Sequence, residues 1–323
     1  MIPIRDTIRS KSMPVVNLSL IGINVVIFLF QLSLRGDLDR FIYYYGLVPA
    51  RYFVPQLKDY FSFGQQLFSL ISFMFLHGGF IHLIGNMWSL YIFGDNIEDR
   101  LGPGRYILFY LFCGLASGLS HMLLNPQSNI PTIGASGAIA GVMGAYFLLF
   151  PAAKVLTLIP IIFIPWFIEI PAFFFLGLWF LIQFINAAGS HIEVSGIAWW
   201  AHIGGFICGI VLLKLFTLLP SAGVTSQVRK MTAKKKSHRF QMARPTTNDR
   251  SAGDLHAAIV ISPYEALVGA RKLVNIPAGF HRRTYRVSVP PGIEAGKQLR
   301  LRGQGRPLPD GSKGDLMLKV IIQ

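Results

Sequence analysis

GASGAIAGVMGAYFLLF, the stretch at residues 134–150, decides the fold, because Ser136 and Tyr146 are its only side chains with a polar group. An apolar segment of this kind is typical of a helix in a bilayer. From Ser136 to Phe150 such a helix is about 22 Å long, less than the roughly 30 Å of hydrocarbon that a full span crosses. We therefore expect Ser136 at a helix N-terminus below the membrane surface, where it requires a water-filled cavity.

Other apolar segments lie on both sides of this stretch. The predicted spans are residues 15–34, 79–93, 106–124, 136–151, 172–187 and 197–219. They predict an all-α polytopic membrane protein with six transmembrane helices. Residues 155–165 are also apolar, but they are few and interrupted by proline, so we expect an interfacial or re-entrant piece there. A seventh span at that position would place the C-terminal tail outside.

The charge is distributed unevenly along the chain. Residues 1–220 hold 11 Lys and Arg against 9 Asp and Glu, a net charge of +2, whereas residues 221–323 hold 19 against 6, a net charge of +13. With the N-terminus inside, most basic residues of the first part lie on the inner side of the predicted spans, although the connection at 35–77 also holds several. We expect an integral multi-pass protein of a bacterial inner (plasma) membrane with both termini in the cytoplasm.

The basic tail has two parts. Residues 221–253 are polar and basic, which predicts a linker after a membrane domain at 1–220. Residues 254–323 are predicted to form a small soluble β domain, with strands at 256–261, 282–289, 298–302 and 315–322 separated by turns rich in proline and glycine. Because the tail directly follows a span, its charge indicates the anionic lipid bilayer as a partner, and no nucleic acid is expected.

Two motifs of small residues contain candidate catalytic groups. Ser136, in Gly-Ala-Ser-Gly, lies where the free N–H groups of a helix start stabilise a developing oxyanion. His202, in Ala-His-Ile-Gly-Gly, is an ionisable residue within a span, and a neutral imidazole is a suitable general base for a serine hydroxyl. Packing of Gly205 and Gly209 against the glycines of residues 134–150 would bring the two side chains together. The alternatives are a small-residue packing face and an interhelical hydrogen bond.

His82 and Asn86 on the second span form a further polar pair. Their spacing of four residues places both side chains on one helical face. Two hydrogen-bond donors directed at one point suit an oxyanion hole. The alternative is that they hold neighbouring helices together by hydrogen bonds.

Other protease chemistries fit the sequence poorly. A zinc protease requires His-Glu-x-x-His on one helix, and the chain has no such motif. An aspartyl protease of the membrane requires two intramembrane aspartates, whereas we expect Asp95 and Asp99 in a loop. Cys113 and Cys208 each lie in an apolar run and indicate neither a disulfide framework nor a metal site. We expect no metal and no cofactor.

Over residues 15–218 the chain resembles the rhomboid family of intramembrane serine proteases. The resemblance rests on HGGFIHLIGN (77–86), GDNIEDRLG (94–102), GASG (134–137) and AHIGG (201–205). It implies Ser136 as the nucleophile and His202 as the general base and later acid. It further implies an oxyanion hole made by the backbone N–H of Ser136 with the side chains of His82 and Asn86. The implied substrates are single-span membrane proteins.

One position departs from the family pattern. Many rhomboid proteases carry an aromatic residue one turn after the nucleophile, where it stacks on the histidine, and this chain has Ala140 there. What orients His202 is therefore open at the level of the sequence, although Trp199 and Trp200 are near it along the chain.

Residues 254–323 resemble the substrate-binding β domain of DnaJ-type co-chaperones. The resemblance rests on YEALVGA (264–270), VPPG (289–292), GKQLRLRGQG (296–305) and GDL (314–316). The His-Pro-Asp motif of a J domain and zinc-binding cysteine pairs are absent from the sequence. The resemblance implies binding of a peptide or client without stimulation of a partner ATPase. The alternative is an inert folded appendage.

The motifs together predict an intramembrane serine endopeptidase that uses a dyad of Ser136 and His202. A different class of function is a non-catalytic rhomboid-like protein that binds or escorts membrane proteins. Such proteins lack the serine or the histidine, and this chain keeps both. A further alternative makes the tail the main activity and the spans its anchor.

Overall fold

The computed structural model of the chain describes residues 1–8, 10–58, 60–161, 164–189, 197–218, 240–242, 253–278, 281–308 and 312–323. The chain divides into two compact units, Met1–Lys234 and Lys235–Gln323. We call the first the helical unit and the second the β unit. Most of the predicted linker at 221–253 lies outside the described residues, so the domain boundaries at 220 and 254 stay predictions.

The helical unit begins with a short strand and continues with a series of helices. The helices are α1 (Val15–Ser33), α2 (Leu38–Tyr45), α3 (Ala50–Phe53), α4 (Pro55–Lys58), α5 (Phe63–Ser72), α6 (Phe80–Leu101), α7 (Pro103–Leu124), α8 (Ser136–Leu149), α9 (Ala172–Gly189) and α10 (Trp199–Leu218). The connection between the first two predicted spans is thus mostly helical.

Several of these helices are suited to a bilayer. Among the described residues, α1, α7, α9 and α10 are each long and apolar enough to cross a membrane. The segment Phe63–Phe75 and α6 pass the same test as a pair bent by 79°, which gives up to five candidate spans. The predicted number of six is not reached, because α8 has only 14 residues and is shorter than the roughly 20 that a crossing requires.

The short helix α8 lies at the centre of the helical unit. Every residue from Gly137 to Tyr146 is buried, and the helix packs against α6, α7, α9 and α10. A Cβ on Gly205 of α10 would overlap the carbonyl oxygen of Gly137, and a Cβ on Gly209 would overlap that of Gly141. Small residues allow two helices to approach this closely within a bilayer. The predicted glycine contact between the two helices is confirmed.

Helix α6 continues beyond the predicted end of the second span. The prediction that Asp95 and Asp99 lie in a loop is wrong, because both belong to this helix. A third carboxylate between them, Glu98, meets the start of α1. Glu98 accepts hydrogen bonds from the backbone N–H groups of Val16 (3.1 Å) and Asn17 (2.8 Å). The first N–H groups of a helix lack intrahelical acceptors, so an acidic side chain stabilises them.

A small antiparallel sheet joins the N-terminus to the loop between α8 and α9. Its strands are β1 (Ile2–Asp6), β2 (Lys154–Ile161) and β3 (Ile164–Pro171), in the order β1–β2–β3. We expect an interfacial or re-entrant piece at residues 155–165, and the described residues of this segment belong to the antiparallel strands β2 and β3. The Lys154 ammonium and the Glu169 carboxylate form an ion pair of 2.9 Å between these two strands.

Asp6 connects the N-terminal strand to two helices. Its carboxylate accepts hydrogen bonds from the Tyr146 hydroxyl of α8 and, at 3.0 Å, from the side-chain amide of Asn96 on α6. Burial raises the pKa of Asp6 to about 7, since the Tyr146 hydrogen bond offsets only part of the desolvation and the charge of Asp95 adds to it.

This raised pKa predicts a pH-dependent stability. Because the pKa of about 7 in the folded protein exceeds the roughly 4 of an unfolded aspartate, the folded state binds the proton more tightly. Burial of the Asp6 carboxyl group therefore destabilises the folded state as the group ionises, and this loss accumulates between the unfolded pKa of about 4 and the folded pKa of about 7. We expect the melting temperature to fall between about pH 4 and pH 7, and to fall less in Asp6→Asn. The raised pKa of Asp6 would be contradicted if the melting temperatures of the wild type and Asp6→Asn changed equally with pH.

The β unit contains two three-stranded sheets, β4–β6–β7 and β5–β9–β8. Its elements are β4 (Phe240–Met242), β5 (Leu255–Ile261), α11 (Pro263–Val268), β6 (Ala270–Ala278), β7 (His281–Val289), β8 (Gln298–Leu301) and β9 (Leu316–Ile322). Alternate apolar residues of the strands, among them Ile259, Val274 and Leu318, form its core. The C-terminal β-sheet domain that the sequence predicts is confirmed.

Four predicted strands of the β unit correspond to β5, β7, β8 and β9, whereas the sequence does not predict β4, β6 or α11. Strand β4 lies within the predicted linker at 221–253 and pairs with β6. The alternation of β6 is hidden because Lys272 stands at an inward position. Its side chain is only 2 % exposed and pairs with the Glu265 carboxylate at 2.7 Å. Glu265 in turn belongs to a capping box with Ser262 that starts α11.

Candidate active site

Ser136 is the first residue of α8, directly after a tight turn. Gly134 has a left-handed φ of 129°, and its N–H donates a hydrogen bond of 2.8 Å to the carbonyl oxygen of Phe73. A Cβ on Gly134 would overlap the imidazole of His82, so the turn requires glycine on both grounds. The serine hydroxyl thereby lies beside the first N–H groups of α8, which have no acceptor within the helix.

The imidazole of His202 reaches Ser136 from α10. Its Nε2 lies 2.8 Å from the Ser136 Oγ, the distance of an ordinary hydrogen bond. The close contact of Gly205 with Gly137 allows this distance, because it brings the backbones of α8 and α10 together directly after Ser136 and about one turn after His202. The two residues that the sequence proposes as a dyad are therefore neighbours, and an imidazole in this position is able to accept the hydroxyl proton.

His82 and Asn86 of α6 line the same cavity as Ser136. The Nδ1 of His82 accepts a hydrogen bond of 3.4 Å from the backbone N–H of Gly78, so the neutral ring carries its proton on Nε2, which lies on the side of the ring that faces Gly134. The Nδ2 of Asn86 is buried and has no hydrogen-bond partner among the residues that the structure describes. The structure thus gives this wall of the cavity two unused donors, one from each predicted residue.

The cavity above the dyad has a volume of about 940 Å³. Its walls come from α6, the turn before α8, α9 and α10, and they include Phe80, Ile133, Trp179, Gln183 and Trp199. A space of this size holds water and an extended segment of peptide together. It meets the requirement for water around a serine placed below the membrane surface.

Two residues of the site, Gln183 and Trp179 of α9, are not predicted by the sequence analysis. The Gln183 Oε1 lies 2.8 Å from the Nδ1 of His202, and the Trp179 ring lies 5.9 Å from the imidazole, tilted by 38°. Trp199 presents its edge to the same imidazole at 6.2 Å. A glutamine in the middle of a mostly apolar predicted span is the sequence feature that would have indicated Gln183, because polar residues within spans are mostly functional.

Other histidines surround the site without touching the serine. His77 is buried beside His82, with ring centroids 5.1 Å apart, and His121 lines a second, smaller cavity of about 220 Å³ with His82. Within the described ranges, no three His, Cys, Asp or Glu side chains are grouped so that they would hold a metal ion. Ala140 is buried in α8, so the aromatic contact to His202 comes from α9 and α10.

Comparison with known proteins agrees with both resemblances. Residues 64–218 match the Rhomboid domain, and residues 238–323 match the DnaJ C terminal domain. The chain is 30% identical over 201 residues to "Rhomboid protein 1, mitochondrial" of Saccharomyces cerevisiae. The matched residues cover 60% of this chain and 51% of that protein. It is 29% identical over 176 residues to "Rhomboid-like protein 11, chloroplastic" of Arabidopsis thaliana, which covers 50% of this chain and 57% of the relative.

A bacterial relative is similar at the same level. The chain is 30% identical over 154 residues to "Rhomboid protease GluP" of Bacillus subtilis, covering 48% of this chain and 27% of that protein. The chain spans about half the length, or less, of the curated relatives it matches. The two resemblances that the motifs indicate are confirmed at the level of domains.

Proposed function

We propose that this multi-pass membrane protein, which carries a Rhomboid domain and a DnaJ C terminal domain, is a serine endopeptidase that cleaves membrane proteins within their transmembrane segments. The nucleophile is Ser136 and the general base is His202. The observation that carries the proposal is the 2.8 Å contact between the Ser136 Oγ and the His202 Nε2 at the wall of a large cavity within the helical unit.

The topology forms part of the same proposal. Six helices, α1, α6, α7, α8, α9 and α10, cross or enter the bilayer, with both termini in the cytoplasm and the protein in a bacterial inner membrane. The excess of basic residues on the inner side supports this orientation. Helix α8 is counted although it is short, because α6, α7, α9 and α10 surround it and remove it from lipid.

The geometry supports an acyl-transfer mechanism in ordered steps. His202 accepts the hydroxyl proton through Nε2 while the Ser136 Oγ attacks the scissile carbonyl carbon. The imidazolium then donates that proton to the departing amine, which leaves an ester between Ser136 and the new carboxyl end. Water from the cavity attacks this ester, with His202 again taking the proton, and the free serine is restored.

The developing oxyanion is stabilised by three donors. These are the backbone N–H of Ser136, the Nε2–H of His82 and the Nδ2–H of Asn86. The support is that the Asn86 Nδ2 is buried without a partner in the described part of the chain and that the His82 Nδ1 is already occupied by the N–H of Gly78. Donors held in place before the reaction stabilise the transition state without reorganisation.

Removal of one donor provides a test of this assignment. We expect Asn86→Ala to lower kcat by about 10²- to 10³-fold with a smaller change in KM, the usual cost of losing one oxyanion donor. Asn24→Ala is the matched control, since Asn24 is also a buried asparagine and its amide donates a hydrogen bond to the carbonyl oxygen of Leu20 in its own helix. Steady-state cleavage rates measure both. A kcat for Asn86→Ala equal to that of the control would remove Asn86 from the oxyanion hole.

The proposed substrates are single-span membrane proteins, and the β unit binds a peptide or client. A cavity of about 940 Å³ that opens among helices admits one strand of peptide rather than a folded domain, so the substrate helix must unwind locally. Small or helix-weakening residues lower the cost of that unwinding.

The DnaJ C terminal domain supports the proposal that the β unit binds a peptide or client. Deletion of residues 235–323 is expected to leave the dyad intact and to change which substrates are cut.

The proposal is tested with purified protein in liposomes. The reporter is a protein with one transmembrane helix that contains a Gly-Ala pair near its outer end. We expect cleavage within the apolar segment, identified by the masses of the two products. A reporter that co-purifies with the protein and stays intact, for this and for several other single-span sequences, would overturn the protease assignment and favour a binding or escort function.

A further inference from the structure

Gln183 holds the imidazole of His202 on the side opposite the serine. The Gln183 Oε1 lies 2.8 Å from the His202 Nδ1, while the His202 Nε2 lies 2.8 Å from the Ser136 Oγ. Both ring nitrogens are thus engaged, one on each side. Gln183 is only 5 % exposed, so most of its surface is packed against protein although it lines the cavity.

The orientation of the Gln183 amide is fixed by a second hydrogen bond. Its Nε2 donates to the backbone carbonyl oxygen of Trp179 at 3.3 Å, within α9. A reversed amide would place its oxygen against that carbonyl oxygen, so the arrangement with Oε1 towards His202 is favoured. An amide oxygen only accepts hydrogen bonds, and therefore the proton of the neutral imidazole is on Nδ1. This leaves the lone pair of Nε2 directed at the serine hydroxyl.

We infer that Gln183 is a positioning residue which holds His202 in the Nδ1-protonated tautomer that a general base requires. The inference rests on the proposed protease function. Gln183 has the role that a carboxylate has in a three-residue serine protease site, where the third group sets the tautomer and orientation of the histidine. Trp179 restricts the same ring from one face at 5.9 Å.

A neutral amide suits this position because of the surroundings. Gln183 belongs to α9, which is apolar enough to cross a membrane. A carboxylate without a compensating cation is costly to bury in such a helix, whereas an amide with both groups hydrogen-bonded is not. The same contact explains why alanine is tolerated at position 140, where many rhomboid proteases have an aromatic residue. The imidazole is held from α9 and needs no aromatic residue on α8.

The test uses the full-length chain in liposomes and the Gly-Ala reporter. Gln183→Met keeps the length of the side chain and removes the acceptor. We expect it to lower kcat by about 10- to 100-fold, the usual effect of losing the group that orients a functional histidine, with KM little changed. Gln183→Glu restores an oxygen at the same place, and because burial favours the neutral acid, its carbonyl oxygen still accepts the Nδ1–H hydrogen bond. We expect this variant to be at least about 10-fold faster than Gln183→Met.

A second buried glutamine is the matched control. Gln31 is 1 % exposed. Among the described residues its side chain bonds the backbone of His77, where its Nε2 donates to the carbonyl oxygen (3.1 Å) and its Oε1 accepts from the N–H (2.9 Å). Gln31→Met is expected to lower the melting temperature and to keep kcat per folded molecule within about threefold of wild type.

The outcomes separate this inference from the proposed function. A slow Gln183→Met that is recovered by Gln183→Glu supports it. If the wild type cleaves the reporter and Gln183→Met does so with the same kcat, or Gln183→Glu is no faster than Gln183→Met, the inference is overturned while the protease assignment stands. If the wild type cleaves no reporter, the proposed function fails first, and this inference fails with it.

Discussion

Replacement of Ser136 by alanine is expected to reduce cleavage of a single-span reporter by on the order of 10⁴- to 10⁶-fold, the loss that serine proteases show without their nucleophile. The reason is geometric. The Ser136 Oγ is the hydroxyl at hydrogen-bond distance from the His202 Nε2, at 2.8 Å, and it stands at the start of α8, where the oxyanion would form. Water in the cavity does not replace it, because the covalent intermediate requires a tethered oxygen.

The matched control for this substitution is Ser19→Ala. The Ser19 hydroxyl donates a hydrogen bond to the carbonyl oxygen of Val15 on the exposed side of α1. Ser19 is not among the described residues that line the cavity. We expect Ser19→Ala to keep full activity and Ser136→Ala to keep its melting temperature within a few degrees while activity is lost. Cleavage by Ser136→Ala at a rate similar to that of the control would exclude the serine mechanism.

The second large effect is expected from one added methyl group at Gly205. In Gly205→Ala the new Cβ would overlap the carbonyl oxygen of Gly137, and both partners are backbone atoms of packed helices. Neither rotates away, so α8 and α10 must separate. Overpacking of this kind costs about 1–3 kcal/mol or more, and separation also moves His202 away from Ser136. We expect a lower melting temperature together with a loss of at least about 100-fold in kcat.

The same substitution at Gly22 of α1 provides the control. A Cβ at Gly22 meets no atom within 4 Å, and alanine is the better helix former by about 1 kcal/mol. Gly22→Ala should therefore be as stable as the wild type or slightly more stable, with unchanged cleavage. The account of the helix contact would be wrong if Gly205→Ala and Gly22→Ala had the same melting temperature and the same activity.

Much of the helical unit follows from the sequence, because hydrophobic length and glycine spacing act locally. The apolar segments predict helices where α1, α7, α9 and α10 occur, and the glycines at 137 and 205 predict the contact that brings α8 to α10. The end of α6 is not predictable in this way. Asp95 and Asp99 resemble loop residues until the N-terminus of α1, distant in sequence, is known to lie against that end of the helix.

The strands are predicted less well, for a similar reason. Strand β1 pairs with β2 across about 150 residues of sequence, and a short alternating run at the chain start does not reveal such a distant partner. In the β unit, the charged residue Lys272 stands at an inward position of β6 and so conceals the alternation of this strand. It is buried there because Glu265 of α11 neutralises its charge. Pairing between distant residues decides both cases.

The residues of the candidate site also differ in whether the sequence predicts them. Ser136, His202, His82 and Asn86 are indicated by motifs and by their positions on helices, and the structure places all four at one cavity. Gln183 belongs to no motif. Its role depends on the rotation of α9 about its axis and on the 2.8 Å contact with the far side of the imidazole, which only the packed helices determine.

The most direct test of the central claim is to locate the reactive nucleophile with a fluorophosphonate probe. In this reaction a serine Oγ displaces fluoride from phosphorus, and the general base takes the proton. Peptide mass mapping is applied to the wild type, His202→Ala and heat-denatured wild type. We predict one adduct, on Ser136, in the folded wild type, and none in the other two samples. An adduct on a different residue, or equal labelling of Ser136 in His202→Ala, would contradict a Ser136–His202 dyad.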